Sequence, residues 1–262
     1  MAGPTTNVNP NAIFQIQFAH VAKTAVLLPL TGFIFCVTWS ILYDFESSTA
    51  THCKVANYLP SISSAIGGYT PQKYVWRICV ALHCSPRLMF AVAYYNFHTK
   101  INVGRKNKIY TNLAAIASFL HISEVLALVG LTYISSTENA DMHEYLFIGF
   151  MVCSLFHMLL TCVLFHWGRT ANNKEMTNRE RQSFHYKVGL FIFNLTSFLL
   201  AVYLYFRHQA YCEPGMYTWF ALGEYLTVVS NIAYNGTVIW DFSQLEVSVS
   251  NINGTSHIHK ST

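Results

Sequence analysis

Six apolar stretches, each close to twenty residues long, alternate with short polar segments along the chain. About twenty apolar residues is the length that an α-helix needs to cross the hydrocarbon core of a bilayer. Backbone groups in lipid must be hydrogen-bonded inside the protein, so stretches of this length cross as helices. The sequence therefore predicts an all-α integral membrane protein with about six transmembrane helices, at 22–43, 75–97, 111–134, 145–167, 187–206 and 217–240.

The composition excludes an ordinary soluble protein. Of the 262 residues, 53% are hydrophobic and only 11% are charged, whereas soluble domains have about 25% charged residues. The net charge is +4, but the basic residues stand in short segments between the apolar stretches and do not form one polar face. We therefore expect no nucleic-acid partner and a single membrane domain over 22–240.

The positions of lysine and arginine predict the orientation, because cytoplasmic loops retain positive charge during insertion. One set of segments holds eleven basic residues, and the opposite set holds only Lys54, Lys73 and Arg207. Both termini are therefore predicted to be cytosolic, as an N-terminal segment over 1–21 and a tail over 241–262. The only long lumenal loop is then 44–74. About twenty polar or mixed residues precede the first helix, and it lacks a small-residue cleavage site, so we interpret it as an uncleaved signal anchor.

Three N-x-T sequons test this orientation. They begin at Asn194 in the fifth predicted helix, at Asn235 in the sixth and at Asn253 in the predicted cytosolic tail. Each position is out of reach of the lumenal glycosylation machinery. We expect all three to be unglycosylated.

Two of the seven cysteines, Cys53 and Cys212, are the only ones predicted to be lumenal. The lumen is oxidising, and disulfides persist there. We favour a bridge between the long loop and the turn at 207–216 over two free thiols. The other five cysteines lie in predicted helices, where cysteine usually serves as a small apolar residue.

Ionisable residues inside the predicted helices are the main functional signal, because each costs about 2.5–3.5 kcal/mol at the bilayer centre unless it is paired or used. In the second helix Arg77, His83, Arg87 and Tyr94 share a helix face of roughly 120°, beside Pro86, which loosens the helix. The other helices contribute His121, Glu124, His157, Glu224 and Asn231 at comparable depths.

Two interpretations of these residues stay open at this point. In one, Arg77 and Arg87 form structural ion pairs with Glu224 and Glu124, and neighbouring polar groups satisfy the histidines. In the other, the same residues line a polar cavity that is used for chemistry or for binding a lipid headgroup.

The predicted lumenal rim carries a second polar group, formed by Asp44, His52, Lys73, Arg207, His208, Tyr211 and Glu213. An arginine fork such as that of Arg207 fits a phosphate or a carboxylate. A lone Arg-His pair at a helix end can equally be an interfacial anchor.

Motifs of soluble enzyme classes are absent from the chain. It has no G-x-S-x-G, H-E-x-x-H, P-loop or G-x-G-x-x-G sequence. The intramembrane histidines lie on different helices without i,i+4 pairing, so their spacing indicates no metal site. The chemistry that remains is a histidine general base acting on a lipid hydroxyl, with arginine stabilising a phosphate or an oxyanion.

Several runs of residues resemble one family. They are ATHC at 50–53, NYLPSISSAIGG at 57–68, PQKYVWR at 71–77, SPR at 85–87, HMLLTC at 157–162, YFRH at 205–208, YCE at 211–213 and EY at 224–225. Together they are similar to the post-GPI-attachment to proteins factor 2 family, in the fibroblast-growth-factor-receptor-activating and damage-regulated autophagy modulator group of multi-span proteins. The likeness extends from about 15 to 245.

The resemblance implies a multi-pass Golgi membrane protein that remodels glycosylphosphatidylinositol (GPI) anchors, with the endoplasmic reticulum membrane as the alternative location. In this family a saturated chain, typically stearoyl, is added at the sn-2 position of lyso-GPI. The partners expected are lyso-GPI-anchored proteins, membrane lipids and other GPI-remodelling membrane proteins. No cofactor is expected beyond an acyl donor, either acyl-coenzyme A or a phospholipid.

Combined with the residue patterns, the resemblance predicts roles for individual side chains. The predicted catalytic residues are His83, His208, Arg87 and Glu124. The predicted substrate-binding residues are Lys73, Arg77, Arg207, Tyr211, Glu224 and His157. The alternative is a non-catalytic subunit that binds lyso-GPI and presents it to a separate acyltransferase. A transporter or scramblase is a third reading, but no internal repeat supports it.

Overall fold

Long α-helices dominate the computed structural model, which describes residues 12–171 and 175–250. The helices are α1 (Phe18–Tyr43), α2 (Phe45–Thr49), α3 (Ile62–Gly67), α4 (Gln72–Thr99), α5 (Asn107–Tyr133), α6 (Ala140–Thr170), α7 (Asn178–Tyr211), α8 (Met216–Gly236) and α9 (Val238–Asp241). A short 3₁₀ turn covers Gly104–Lys106, and two strands, β1 (Ala12–Gln17) and β2 (Glu246–Ser250), form one antiparallel pair.

Five helices of the described chain, α1, α4, α5, α6 and α7, are long and apolar enough to cross a membrane. Many of their large apolar side chains are exposed, such as Phe119 and Leu199. In water such a surface would promote aggregation, whereas in lipid an apolar surface is favoured. The predicted all-α membrane fold is confirmed.

Helix α8 is the sixth long helix, although its composition is more polar. Its 21 residues span about 31 Å, which suffices to cross the hydrocarbon core. It contains Glu224, Asn231 and Asn235, which face other helices and lower its hydropathy.

The strand pair supports six crossings. Gln17, directly before α1, pairs with Glu246, just after the last helix, and the Phe18 amide donates to the Leu245 carbonyl at 3.0 Å. The start of α1 and the end of the helical region therefore lie at the same end of the bundle. Five crossings would place them at opposite ends. This end is the one predicted to be cytosolic, and the opposite end of the bundle is called the lumenal end on the basis of that prediction.

The helices extend beyond the apolar stretches that predicted them. Helix α7 begins at Asn178, not at 187, behind a capping box in which Thr177 and Glu180 satisfy each other's backbone amides. Such a box marks a helix start, whereas an apolar stretch marks only the part in contact with lipid. The strand pair was not predicted, and it places 246–250 in an ordered element.

The asparagines of two of the three sequons are buried, and their side-chain amides form hydrogen bonds between or within helices. The Asn194 amide donates to the Thr227 carbonyl at 2.7 Å and to the Ser230 hydroxyl at 2.8 Å. The Asn235 amide donates to the Asn231 carbonyl at 2.9 Å. This supports the expectation that neither is glycosylated. Asn253 lies outside the described residues.

The helices pack as neighbours in sequence, α1 with α4, α4 with α5, α5 with α6 and α7 with α8. Helices α7 and α8 approach each other closely, since a Cβ added to Gly223 would lie 2.8 Å from the Ala201 Cβ and 3.2 Å from the Ala201 Cα. Small residues allow such an approach in membrane bundles.

Replacing Gly223 with leucine is therefore expected to separate α7 from α8 and to lower the free energy of unfolding by about 2 kcal/mol, as overpacking does. The matched control is Gly189→Leu on α7, where an added Cβ meets nothing within 4 Å. Denaturation of the purified proteins by SDS measures both. Equal stability of the two variants would show that the close approach is unimportant.

Candidate functional site

A buried ion pair lies at the centre of the bundle. Arg87 of α4 and Glu124 of α5 are 1% and 0% exposed, and the Arg87 Nη2 donates to the Glu124 Oε1 at 2.8 Å. Arg87 lies about 22 Å along α4 from Gln72, near the middle of the membrane. The predicted Arg87–Glu124 pair is confirmed.

Residues of two further helices, α6 and α8, bind this pair. The Glu124 Oε1 also accepts from Asn231 of α8 at 3.0 Å, and the Glu124 Oε2 lies 3.2 Å from the His157 Nδ1 of α6. Arg87 donates a second bond to Asn235 of α8 at 3.2 Å. We call these five residues the polar centre. It offers charged groups in a water-poor environment, where electrostatic interactions are strong.

His83 lies one turn of α4 before Arg87 and is buried. Its Nδ1 is 2.6 Å from the carbonyl oxygen of Ala25 in α1. A carbonyl can only accept, so Nδ1 carries the proton and Nε2 is the acceptor. His83 and Arg87 line one small internal cavity of about 10 Å³. In the neutral ring, the His83 Nε2 is then the basic nitrogen, in the same cavity as the Arg87 guanidinium.

On the other side of the polar centre, His121 of α5 stacks on His157 at 4.2 Å between ring centroids. His121 is 2% exposed, and in the described part of the chain neither of its ring nitrogens has a hydrogen-bond partner. The two rings line a second cavity of about 10 Å³ between α4, α5 and α6. A cavity of this size holds about one water molecule.

At the lumenal end, the predicted partner of Arg77 was wrong. Arg77 contacts Glu138, at 3.4 Å, and donates to the Tyr133 carbonyl at 2.9 Å. Lys73 binds the same carboxylate at 2.8 Å. The loop between α5 and α6 thus supplies the counter-ion, because it reaches over the start of α4.

Glu224, the predicted partner of Arg77, instead holds the lumenal loop. Its Oε2 accepts from the Ile62 amide at 3.1 Å at the start of α3. The neighbouring Tyr225 hydroxyl donates to the Pro60 carbonyl at 2.6 Å. The loop at 44–74 is therefore fastened to α8.

The Glu138 contacts predict a defined pH dependence. A hydrogen bond from Lys73, and then one from the Ser135 amide, lower the pKa of Glu138 from 4.5 to about 2. A lowered folded-state pKa stabilises the protein above the unfolded-state value and loses that contribution as pH falls through the folded value. We expect the stability difference between wild type and Glu138→Gln to be constant from pH 7 to 5 and to shrink below about 4. Thermal unfolding across that range tests this, and a difference that changed between pH 7 and 6 would contradict it.

A surface cleft of about 510 Å³ lies at the lumenal end of α7, lined by Tyr203, Phe206, Arg207, Tyr211 and Glu213. Arg207 holds Glu213 through two hydrogen bonds of 2.8 and 3.0 Å, and these bonds lower the pKa of Glu213. Tyr211 is 73% exposed. Aromatic and basic side chains at this depth match the headgroup layer of a bilayer.

A disulfide joins Cys53 to Cys212, with Cα atoms 5.3 Å apart, which confirms the predicted bridge. Two further contacts fasten the loop to the α7–α8 turn. The Gly215 amide donates to the Ala56 carbonyl at 3.0 Å, and the Tyr58 amide donates to the Thr218 hydroxyl at 2.8 Å.

His208 lies in α7 beside this disulfide. It is fully buried, and neither ring nitrogen has a hydrogen-bond partner among the described residues. Its ring centroid lies 5.7 Å from that of the His52 ring.

Nine of the ten predicted site residues thus fall into three places, and the tenth, Glu224, holds the loop instead. His83, Arg87, Glu124 and His157 meet around the polar centre. Arg207, His208 and Tyr211 lie at the lumenal end of α7. Lys73 and Arg77 lie at the lumenal end of α4, and no hydrogen bond or ion pair between described residues links them to Arg207.

Sequence reasoning missed a second buried ion pair near the cytosolic end. Lys187 of α7 is fully buried and lies 2.5 Å from Asp241 of α9, and Tyr94 and Ser183 bind the same carboxylate. Lys187 is one of the eleven basic residues on which the predicted cytosolic side rests. The i,i+4 spacing of Ser183 and Lys187 was a signal that both face one side of a helix.

Comparison with known proteins assigns the family. Residues 17–245 match the Frag1/DRAM/Sfk1/Cwh43P N-terminal domain. The chain is 42% identical to acyltransferase PGAP2 of Xenopus tropicalis, over 91% of this chain and 93% of that protein. It is 41% identical to post-GPI attachment to proteins factor 2 of Caenorhabditis elegans, over 94% and 93%. The corresponding Drosophila melanogaster protein is 41% identical, over 90% of both chains.

No solved structure matches the chain. The matched region contains every predicted site residue and both cysteines of the disulfide. The matches cover nearly the full length of each relative. The chain therefore belongs to the Frag1/DRAM/Sfk1/Cwh43P family and, within it, to the post-GPI attachment to proteins factor 2 group.

Proposed function

We propose that this chain is a lumen-facing lipid acyltransferase of GPI-anchor remodelling in the Golgi membrane. It transfers a saturated acyl chain, stearoyl, to the sn-2 hydroxyl of lyso-GPI on GPI-anchored proteins. Support comes from the names of its relatives, one of which is called an acyltransferase and others post-GPI attachment factors. The observation that carries the chemistry is that His83, whose Nδ1 is held by the Ala25 carbonyl, lines one buried cavity with Arg87.

In the proposed reaction the sn-2 oxygen forms a bond to the carbonyl carbon of the acyl donor while its proton passes to the His83 Nε2. Arg87 stabilises the developing oxyanion, and Glu124 holds Arg87 in place. The bond from the carbonyl carbon to the leaving group then breaks, and His83 returns the proton to that group. The leaving group is a coenzyme A thiol or a lysophospholipid hydroxyl, depending on the donor.

The lumenal cleft at Arg207 and Tyr211 is proposed to hold the inositol phosphate and the first sugars. A volume of about 510 Å³ suits a headgroup of this size. Arg207 would exchange Glu213 for the phosphate, which an arginine fork binds well. The acyl chains would lie along the exposed apolar faces of α7 and α8.

One observation favours the alternative, a subunit that presents lyso-GPI to a separate acyltransferase. The cavities beside the polar centre are about 10 Å³ each, whereas the lumenal cleft is large enough for a headgroup. A presenting subunit needs only the cleft. An enzyme must also let the reacting groups reach His83.

Alanine variants distinguish these functions and locate the reaction. His83 lies about 16 Å from the lumenal end of α4, whereas His208 lies within one turn of the end of α7. We expect His83→Ala to lower the kcat for transfer by 100-fold or more, Arg207→Gln to raise the KM for lyso-GPI, and the exposed-residue control His166→Ala to match wild type. If lyso-GPI binding persisted and His83→Ala transferred normally, the catalytic role of His83 would be excluded. If His208→Ala alone abolished transfer, the reaction would take place at the lumenal rim.

A further inference from the structure

We propose that His121, Glu124 and His157 form a binding site for one zinc ion. The three side chains belong to α5 and α6, and one ligand atom from each lies within 4.8 Å of the others. All three are buried. This is a binding proposal that goes beyond the acyl-transfer function and does not depend on it.

The ligand chemistry fits zinc. Two histidines and one carboxylate are a ligand set of catalytic zinc sites, which leave a fourth position open. Ligand atoms at about 2.0–2.2 Å from a tetrahedral ion are about 3.3 Å from each other. The Glu124 Oε2 and the His157 Nδ1 are 3.2 Å apart, so they already have the separation of two ligands on one ion. The His121 ring nitrogen lies within 4.8 Å of both atoms, so it has to move closer to them to complete the set.

His121 supplies the independent observation that points to a ligand. Its ring is buried, and both ring nitrogens lack a partner among the described residues. A buried polar group without a partner is costly and rare in native proteins. Stacking on His157 does not satisfy either nitrogen. A metal ion would satisfy one of them, and the open fourth position would face the small cavity that both histidines line.

The groups around Glu124 prepare it to bind a cation. The Oε1 is occupied by Arg87 at 2.8 Å and by Asn231 at 3.0 Å. The Oε2 has only the His157 contact. Outer-shell hydrogen bonds of this kind fix the orientation of metal-binding carboxylates. Arg87 and Asn231 therefore act as positioning residues for this site.

Metal analysis of the full-length chain, purified in detergent without chelators, tests the proposal. Mass spectrometry of the metals should find about one zinc per chain. His121→Asn and His157→Asn should each retain at least tenfold less, because the loss of an outer-shell partner alone already costs about 10–100-fold in metal affinity. The matched control is His98→Asn. His98 is buried and lines the same cavity, but its Nδ1 lies 2.7 Å from the Tyr110 hydroxyl, so this variant should keep its zinc.

A second measurement uses only the wild-type chain, so it does not depend on whether the variants fold. After the zinc is removed with a chelator, titration with Co²⁺ should produce the visible absorption of a tetrahedral cobalt site and saturate at one equivalent. A wild-type protein that holds no zinc and gives no cobalt spectrum would overturn the proposal. So would zinc retention that is equal in wild type and in both histidine variants.

Discussion

Replacing Glu124 with alanine is expected to destabilise the protein by about 3 kcal/mol and to abolish function. The change leaves the Arg87 guanidinium, which is 1% exposed, without a counter-ion in the centre of the membrane. Removing one partner of a buried pair costs about 3–5 kcal/mol, and an unpaired charge at this depth costs about 2.5–3.5 kcal/mol. Denaturation by SDS in a chelating buffer measures the effect without a contribution from any bound metal.

The double variant Arg87→Leu/Glu124→Leu separates stability from function. An apolar pair often replaces a buried ion pair with little loss, so its stability should return to within about 1 kcal/mol of wild type. Acyl transfer should remain absent, because the group proposed to stabilise the oxyanion is gone. A stable double variant that still transferred acyl chains would reduce the Arg87–Glu124 pair to a structural element.

Replacing Cys53 and Cys212 with serine is the second change with a large expected effect. The bridge closes a loop across 159 residues of sequence, and native disulfides typically contribute about 2–4 kcal/mol. Its loss should loosen the attachment of the 50–61 segment to the α7–α8 turn. Only the hydrogen bonds of Ala56 and Tyr58 would then hold the segment there. We expect lower thermal stability and a weakened lumenal cleft, seen as a higher KM for lyso-GPI.

The oxidation state itself can be measured by mass spectrometry of the maleimide-treated, denatured protein. Five free cysteines should react before reduction and all seven after it. The control is Cys153→Ser, which removes a free thiol and should leave stability close to that of wild type. Seven reactive cysteines before reduction would show that the bridge does not form in the purified protein.

The sequence was most informative where lipid imposes a strict rule. The apolar stretches predicted the long helices because a membrane requires about twenty apolar residues for each crossing. The Arg87–Glu124 pair followed from the cost of leaving either charge alone at mid-depth. The disulfide followed from compartment, since only Cys53 and Cys212 were predicted to face the lumen.

The sequence was least informative about which helix faces meet. Glu224 lies near the lumenal end of α8, but its depth does not show which neighbouring helix it faces. Arg77 pairs instead with the loop residue Glu138. The stack of His121 on His157 depends on how α5 and α6 pack, which the separate periodicities do not specify. The strand pair joins two short segments at opposite ends of the chain, too short to show a clear pattern.

The most direct test of the proposed function is acyl transfer by the purified chain alone. The protein is reconstituted into vesicles with a lyso-GPI acceptor and either stearoyl-coenzyme A or a stearoyl phospholipid, and the lipid product is identified by mass spectrometry. We predict that wild-type protein adds one stearoyl chain at the sn-2 position from one of the two donors. Folded wild-type protein that binds lyso-GPI but forms no such product from either donor would contradict the enzyme assignment and favour the presenting subunit.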